Sequence, residues 1–206
     1  MDAELFLDPS CMWCWTTSQW LADVSKSRDV NLRPRPFSLF LRDGTDGLPP
    51  RYAAAREGSH RALRVLTAID EPAAAWSFYR ALMRSARAAF AWGEQPFADL
   101  PGVLAEVGID PALAVEADNP DRDIDIKNSM TDATAALGDG GAEPSIPILA
   151  IIEGPRRTGF HGPLLSGPVP DINAGEIWDA FITLARVSSV CELSRPRPAQ
   201  PMTDAA

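Results

Sequence analysis

The first apolar run of the chain, Glu4 to Leu7, is short, stops at Asp8-Pro9 and reads as a buried strand. The period then changes. Trp13, Trp20, Leu21 and Val24 recur at helical spacing through about Arg28, with Ser10 placed to cap the helix start. The next run, Val30 to Leu39, is extended again but carries Pro34 and Pro36. Residues two apart on a strand point their N–H groups to the same side, so these prolines strip donors from one side only. Such a strand pairs along one side and is an edge on the other. Strand, helix and strand with short connections predict a right-handed βαβ start with parallel strands.

From Leu48 the pattern is helical throughout. Arg51–Ile69, Pro72–Trp92, Phe97–Val107, Pro111–Ala117 and Asp121–Leu137 are alanine-rich or helically periodic. Proline stands near most of their starts, in Glu71-Pro72, Gln95-Pro96, Asp110-Pro111 and Asn119-Pro120. Four or five helices and no strand are expected, closed by a hinge at Gly138-Asp139-Gly140-Gly141. The β-branched run Ile148-Leu149-Ala150-Ile151-Ile152 then predicts a buried strand, Gly154-Pro155 a turn, and Arg157–Phe160 the hairpin partner. Asn173 and Glu176 have capping-box spacing, and Ile177, Trp178, Phe181, Ile182 and Leu184 give the last helix its buried face. The order is β-α-β, helical insert, β-β-α. It divides an α/β chain into a discontinuous domain of residues 1–44 and 138–192, a helical insertion of residues 45–137, and a proline-rich disordered tail of residues 193–206.

Composition narrows the function classes. Nineteen basic against 28 acidic residues leave a net charge of −9, a field that repels phosphate backbones and anionic lipid. Nucleic acid and membrane partners are therefore not expected. No run approaches the roughly 18 apolar residues of a membrane span. The start, Met1-Asp2-Ala3-Glu4, is acidic where a secretory signal is basic. A cytoplasmic setting follows, in which thiols rest reduced. Three cysteines are too few, and odd in number, for a secreted disulfide framework.

Two of the three form Cys11-Met12-Trp13-Cys14, directly after the first strand and at the first turn of a helix. There the unpaired N–H groups and the positive end of the helix favour thiolate over thiol at Cys11. Cys14, three residues on, shares its helix face and can close a disulfide with it. Cys11 is thus the candidate nucleophile and Cys14 the resolving thiol, with Met12 and Trp13 bringing no charge of their own. A zinc site needs four ligands, and Cys191, His60 and His161 stand isolated, so no metal is expected. Ile146-Pro147 precedes a buried strand, where proline cannot donate to a ladder; a cis peptide is expected. Of the remaining candidates, Trp15 and Trp20 read as core, His60 as solvated, and His161 as a rim residue rather than a proton shuttle. Cys191 reads as small apolar packing, and the acidic run Glu116–Asp125 as a solvated helix start.

Taken together, Phe6-Leu7-Asp8-Pro9-Ser10-Cys11-Met12-Trp13-Cys14-Trp15, the helical insert, Ile146-Pro147 and Phe160-His161-Gly162-Pro163 resemble the DsbA-like thioredoxin superfamily. Within it they resemble the actinobacterial, cytoplasmic mycothiol-dependent nitroreductases, over about Ala3 to Cys191 and including Leu48-Pro49 and Tyr52. The resemblance implies a thioredoxin-like fold and a thiol-disulfide oxidoreductase with no tightly bound cofactor. It implies mycothiol, a low-molecular-weight thiol, as co-substrate, and a disulfide or an aromatic, nitro-type electrophile as acceptor. It makes Trp13 a wall of the site, Pro147 the cis-proline beside the redox pair, and Tyr52 a contact for an aromatic acceptor, with Met12, Ile146 and His161 lining the site. In this superfamily the cis-proline loop leaves the preceding backbone free to bond a substrate. Two departures stand out: Met12 replaces the usual proline of the motif, removing a pre-set φ, and Pro144-Ser145-Ile146 replaces a glycine-containing lead-in.

Two other classes share some of these features. Kappa-type glutathione transferases and hydroxychromene-carboxylate isomerases have this architecture but use a serine where Cys11 stands, and run no redox cycle. A non-catalytic module using the pair as a redox-sensed clasp would oxidise stoichiometrically without turnover. The oligomeric state is left open between monomer and homodimer.

Overall fold

The computed structural model of the chain describes residues 1–92, 95–138 and 144–201. Strand β1 (Asp2–Leu7) is buried along its length after Asp2, as a strand with neighbours on both sides requires. It leads into α1 (Met12–Ser27) and back through β2 (Asn31–Pro36). Asn31 N–H donates to Met1 O and Phe37 N–H to Leu7 O, the constant offset of a parallel pair. After the helical stretch come β3 (Ile148–Glu153), β4 (Arg156–His161) and, following a loop, α7 (Asp171–Ala185). The sheet order is β2-β1-β3-β4. β3 runs antiparallel to β1, with Phe6 opposite Ile148, and to β4, with Leu149 opposite Phe160. The prolines of β2 therefore stand on an edge strand, where missing donors cost nothing.

The helical stretch holds α2 (Leu39–Asp43), α3 (Pro50–Thr67), α4 (Pro72–Trp92), α5 (Leu100–Glu106), a 3-10 segment (Pro111–Asp118) and α6 (Arg122–Leu137). Contacts group the chain into two compact units. Met1–Phe6, Cys11–Arg33 and the chain from Asp132 onward make the first; Leu7–Ser10 and Pro34–Thr131 make the second. In the first, Phe6, Trp20, Leu21, Val24, Leu149 and Trp178 are buried, the Trp20 and Trp178 rings lie 6.1 Å apart, and Trp20 Nε1 donates to Ala174 O at 3.1 Å. Glu4, buried in β1, pairs with Arg157, whose guanidinium lies over the Phe6 ring. Gly159 is required in β4 because a Cβ there would meet the Ala136 backbone at 2.9 Å. The core of the second unit is Leu63, Leu66, Phe78, Tyr79, Leu82 and Leu104.

Several local expectations are corrected. Extended chain ends at Pro36, and Ser38 caps α2 by accepting from Leu41 N–H at 3.2 Å, where the sequence suggested strand to Leu39. α5 begins at Leu100 rather than Phe97: Phe97 has φ +66°, and Asp99 caps the helix by accepting from Gly102 N–H. α7 begins before Asn173, behind Pro170 with its fixed φ, so the capping-box reading fails. Ser10 does not cap α1; Cys11 occupies that position. His60 is buried rather than solvated, and Cys191 is exposed rather than packed. Most of the Gly138–Gly141 hinge lies outside the described residues, as does the tail after Pro201. Residues 187–201 form neither helix nor strand. Among the described residues no helix is long and apolar enough to cross a membrane.

Candidate active site

The end of β1 sets the position of the first thiol. Cys11 is the residue before α1, extended at φ −95° and ψ 110°, and its carbonyl accepts from Cys14 N–H at 3.1 Å. Its sulfur caps no backbone N–H. It is half-buried, whereas Cys14, inside the first turn, is fully buried; neither is in a disulfide. One sulfur is thus reachable from solvent while the other is enclosed. Met12 and Trp13 are half-buried between them.

Around Cys11 the first unit closes a ring of contacts. Cys11 Sγ lies 4.0 Å from Ile146 O. The Ile146-Pro147 peptide is cis, as its position before β3 led one to expect, and Gly162-Pro163 is cis as well. Pro147 O accepts from Gly162 N–H at 2.7 Å. Pro163 O in turn accepts from Thr17 Oγ1 at 2.7 Å, and Thr17 is buried one helical turn after Trp13, whose carbonyl lies 3.1 Å from the same hydroxyl. The ring therefore runs from the thiol through the cis-proline loop and the Gly162-Pro163 loop, and back into the helix that carries the thiol. His161 is exposed at the end of β4. Partial desolvation, then the charge of Arg197, hold its pKa below the ordinary imidazole value, with Glu192 opposing. Arg197, far along the tail, places its guanidinium 5.4 Å from the centre of the Trp13 ring.

The first unit brings together Cys11, Met12, Trp13, Cys14, Ile146, Pro147 and His161. Tyr52 belongs to the second unit, where it is exposed on α3 with the Arg51 guanidinium over its ring at 4.7 Å. Sequence reasoning missed Asp8, Thr17 and Arg197. Asp8 is fully buried in the second unit, and its carboxylate accepts from Ser10 N–H and Ser10 Oγ, both at 2.7 Å, from Leu39 N–H at 2.7 Å, and from Ser59 Oγ. This hub fixes the backbone of the residue bonded to Cys11. The Asp-Pro-Ser spelling was a usable signal, because aspartate commonly bonds the amide two residues on. Thr17 and Arg197 carried no such local mark.

The second unit also holds a chain of residue types used by hydrolases. Ser38 Oγ and His60 Nδ1 are 3.0 Å apart, and His60 Nε2 lies 3.2 Å from Asp123 Oδ1. Ser38 is fully buried and already caps α2, so no substrate reaches its oxygen. Among the described residues no group of three or more His, Cys, Asp or Glu side chains is arranged to hold a metal ion.

The β-α-β, β-β-α order, with Cys11 before α1, Cys14 in its first turn and a cis-proline loop beside Cys11, is that of a thioredoxin-like fold. The chain belongs to the Rv2466c-like family, described as mycothiol-dependent nitroreductase Rv2466c, which it matches over residues 10–195. Among solved structures it is similar in fold to the cytosolic disulfide reductase DsbM of Pseudomonas aeruginosa, with 16% identity, 89% of this chain and 97% of that one covered, and a TM-score of 0.55. It is similar to a 2-hydroxychromene-2-carboxylate isomerase at 15% identity, 90% and 97% coverage and a TM-score of 0.56. It is also similar to a thioredoxin-like oxidoreductase from Silicibacter pomeroyi at 20% identity, 88% and 86% coverage and a TM-score of 0.50.

Proposed function

We propose that the chain is a cytoplasmic, mycothiol-dependent reductase in which Cys11 attacks and Cys14 resolves. What carries this reading is the asymmetry of the pair: Cys11 half-buried at the helix start against the Ile146 carbonyl, Cys14 fully buried one turn deeper. The helix terminus favours the Cys11 thiolate. With a disulfide acceptor, Cys11 Sγ bonds one acceptor sulfur and the other leaves as a thiolate. Cys14 then displaces the bound half, closing the Cys11–Cys14 disulfide and releasing the second thiol. With an aromatic nitro acceptor the same two electrons and two protons yield the nitroso compound and water. Two mycothiol molecules restore the dithiol through a mixed disulfide and leave as mycothiol disulfide. In this reading Trp13 and Pro147 line the acceptor site and His161 stands at its rim.

A Cys14→Ser variant tests the order of events. Incubated with mycothiol disulfide, it is expected to gain the mass of one mycothiol at Cys11 and to stall there, while the wild type cycles. Absence of the adduct together with a wild type that does not turn over would overturn the reading.

A further inference from the structure

The tail places a charge beside the redox pair. Most arginines of the chain with assigned contacts are neutralised: Arg28 pairs with Asp179, Arg61 with Asp118, Arg64 with Asp123, Arg84 with Glu106, Arg122 with Glu116 and Arg186 with Glu153. Arg197 has no ion-pair partner among the described residues, and its guanidinium lies 5.4 Å from the centre of the Trp13 ring. A guanidinium resting on an indole face keeps its N–H edge free for a second, planar partner. Its neighbours are polar but weakly opposed. Glu192 is the tail's acidic group on this side, and at His161 its influence is smaller than that of Arg197. In a chain of net charge −9, this leaves a local positive point against the residue lying between the two redox cysteines.

We propose that Arg197 makes the reductase selective for anionic acceptors, pairing with a carboxylate carried by the aromatic disulfide or electrophile while the aromatic body packs against Trp13. The inference rests on the redox reading of Cys11 and deepens it by naming the acceptor's charge. A carboxylate matches the guanidinium fork in a bidentate pair, which a neutral amide of the same shape does not. The pairing adds no step to the electron transfer; it raises the occupancy of the acceptor beside Cys11.

Two matched acceptors test it: an aryl disulfide with a carboxylate on each ring, and its primary amide. For wild type, kcat/KM is expected to favour the carboxylate about tenfold, equivalent to about 1.4 kcal/mol. Arg197→Gln is expected to remove that preference through KM, leaving the amide unchanged, and Arg195→Gln to leave both unchanged. Equal losses on both acceptors, an unchanged preference, or a gain on the amide alone would overturn it; the last would make Arg197 a plug on Trp13. A second pair of probes does not need turnover. The ratio of Cys11 alkylation rates with iodoacetate and iodoacetamide should fall several-fold in Arg197→Gln, and an unchanged ratio counts against the proposal even where turnover is absent. A wild type whose Cys11 alkylates normally but which reduces neither disulfide would sink the redox reading instead.

Discussion

Among the described residues, each unit holds a cluster of side chains of catalytic residue types. In the first, Cys11 stands half-buried beside a backbone carbonyl, with Cys14 behind it and an exposed His161 at the rim. In the second, Ser38, His60 and Asp123 follow one another at 3.0 and 3.2 Å, the order of a hydrolytic triad. The better-connected cluster is the one enclosed in the fold. Ser38 accepts from Leu41 N–H, Phe40 stacks on the His60 ring at 4.9 Å, and Arg64 Nε donates to Asp123 at 2.7 Å. Ser38 and His60 are buried, and the hydroxyl is already held by the fold. The Cys11 sulfur caps nothing and meets its neighbouring carbonyl only at 4.0 Å. Accessibility, more than residue type, separates a site from a strut.

The largest expected effect breaks the comparison outright. Cys11→Ser should lower mycothiol-dependent turnover by at least about a thousandfold, as loss of an essential nucleophile does, with a urea midpoint close to wild type. Ser38→Ala should do the reverse. It removes the cap of α2 and strands the buried His60 Nδ1, costing about 1–3 kcal/mol of stability while kcat/KM stays within about twofold. A Ser38→Ala enzyme that folded normally but lost turnover would move the second cluster into the catalytic machinery.

How much of this was legible in the sequence follows from how local each signal is. The redox pair, the edge position of β2 and the cis bond before Pro147 are written in neighbouring residues, because proline and Cys-x-x-Cys act through their own backbone. The chain order of strands and helices was likewise readable from period and proline placement. His60 was not, because its burial depends on α2, a short helix announced only by Ser38. Cys11 replaces Ser10 as the residue before α1 because Asp8, a buried acceptor, takes both the amide and the hydroxyl of Ser10. Cys191 looked like packing by residue type, but α7 ends at Ala185 and leaves it in the exposed tail. Thr17 and Arg197 act on partners more than a hundred residues distant in the chain, a separation no local pattern encodes.

A smaller effect probes how the first cluster is held. Thr17→Val keeps shape but leaves the part-buried Pro163 O without its donor, a cost of about 1 kcal/mol. With the Gly162-Pro163 loop less firmly held, acceptor KM should rise several-fold and kcat change little, since neither thiol is touched. Thr17→Ser restores the hydroxyl and should restore KM at a modest packing loss. If Val and Ser behave alike, the bond to Pro163 does not position the site. Kinetics on one acceptor with the three proteins decides it.

The smallest effect separates the two histidines by pH. Desolvation holds His60 below its ordinary value of 6.5, outweighing the opposing pull of Asp123. The unfolded chain therefore binds a proton at this residue before the folded one does, and stability rises with pH across that interval. It should be constant above about pH 7 and decline as pH falls below 6.5, with a slope of at most about 1.4 kcal/mol per pH unit for one proton. The carboxylates lowered by arginine partners, Asp123 through Arg64 and Glu153 through Arg186, act in a separate window. Their contributions persist until pH falls below their unfolded values of 3.8 and 4.5. His161 is displaced in the same direction as His60, but it is exposed, so solvent screens what it contributes. Protonating His60 would also turn Nδ1 into a donor toward Ser38 Oγ, which already accepts from Leu41. Urea unfolding between pH 5 and pH 7.5, intervals chosen around the ordinary imidazole value, should thus show a slope that His60→Gln flattens and His161→Gln leaves nearly intact. Equal flattening by both would place the two rings in equivalent surroundings and remove the distinction between strut and site that the rest of the geometry draws.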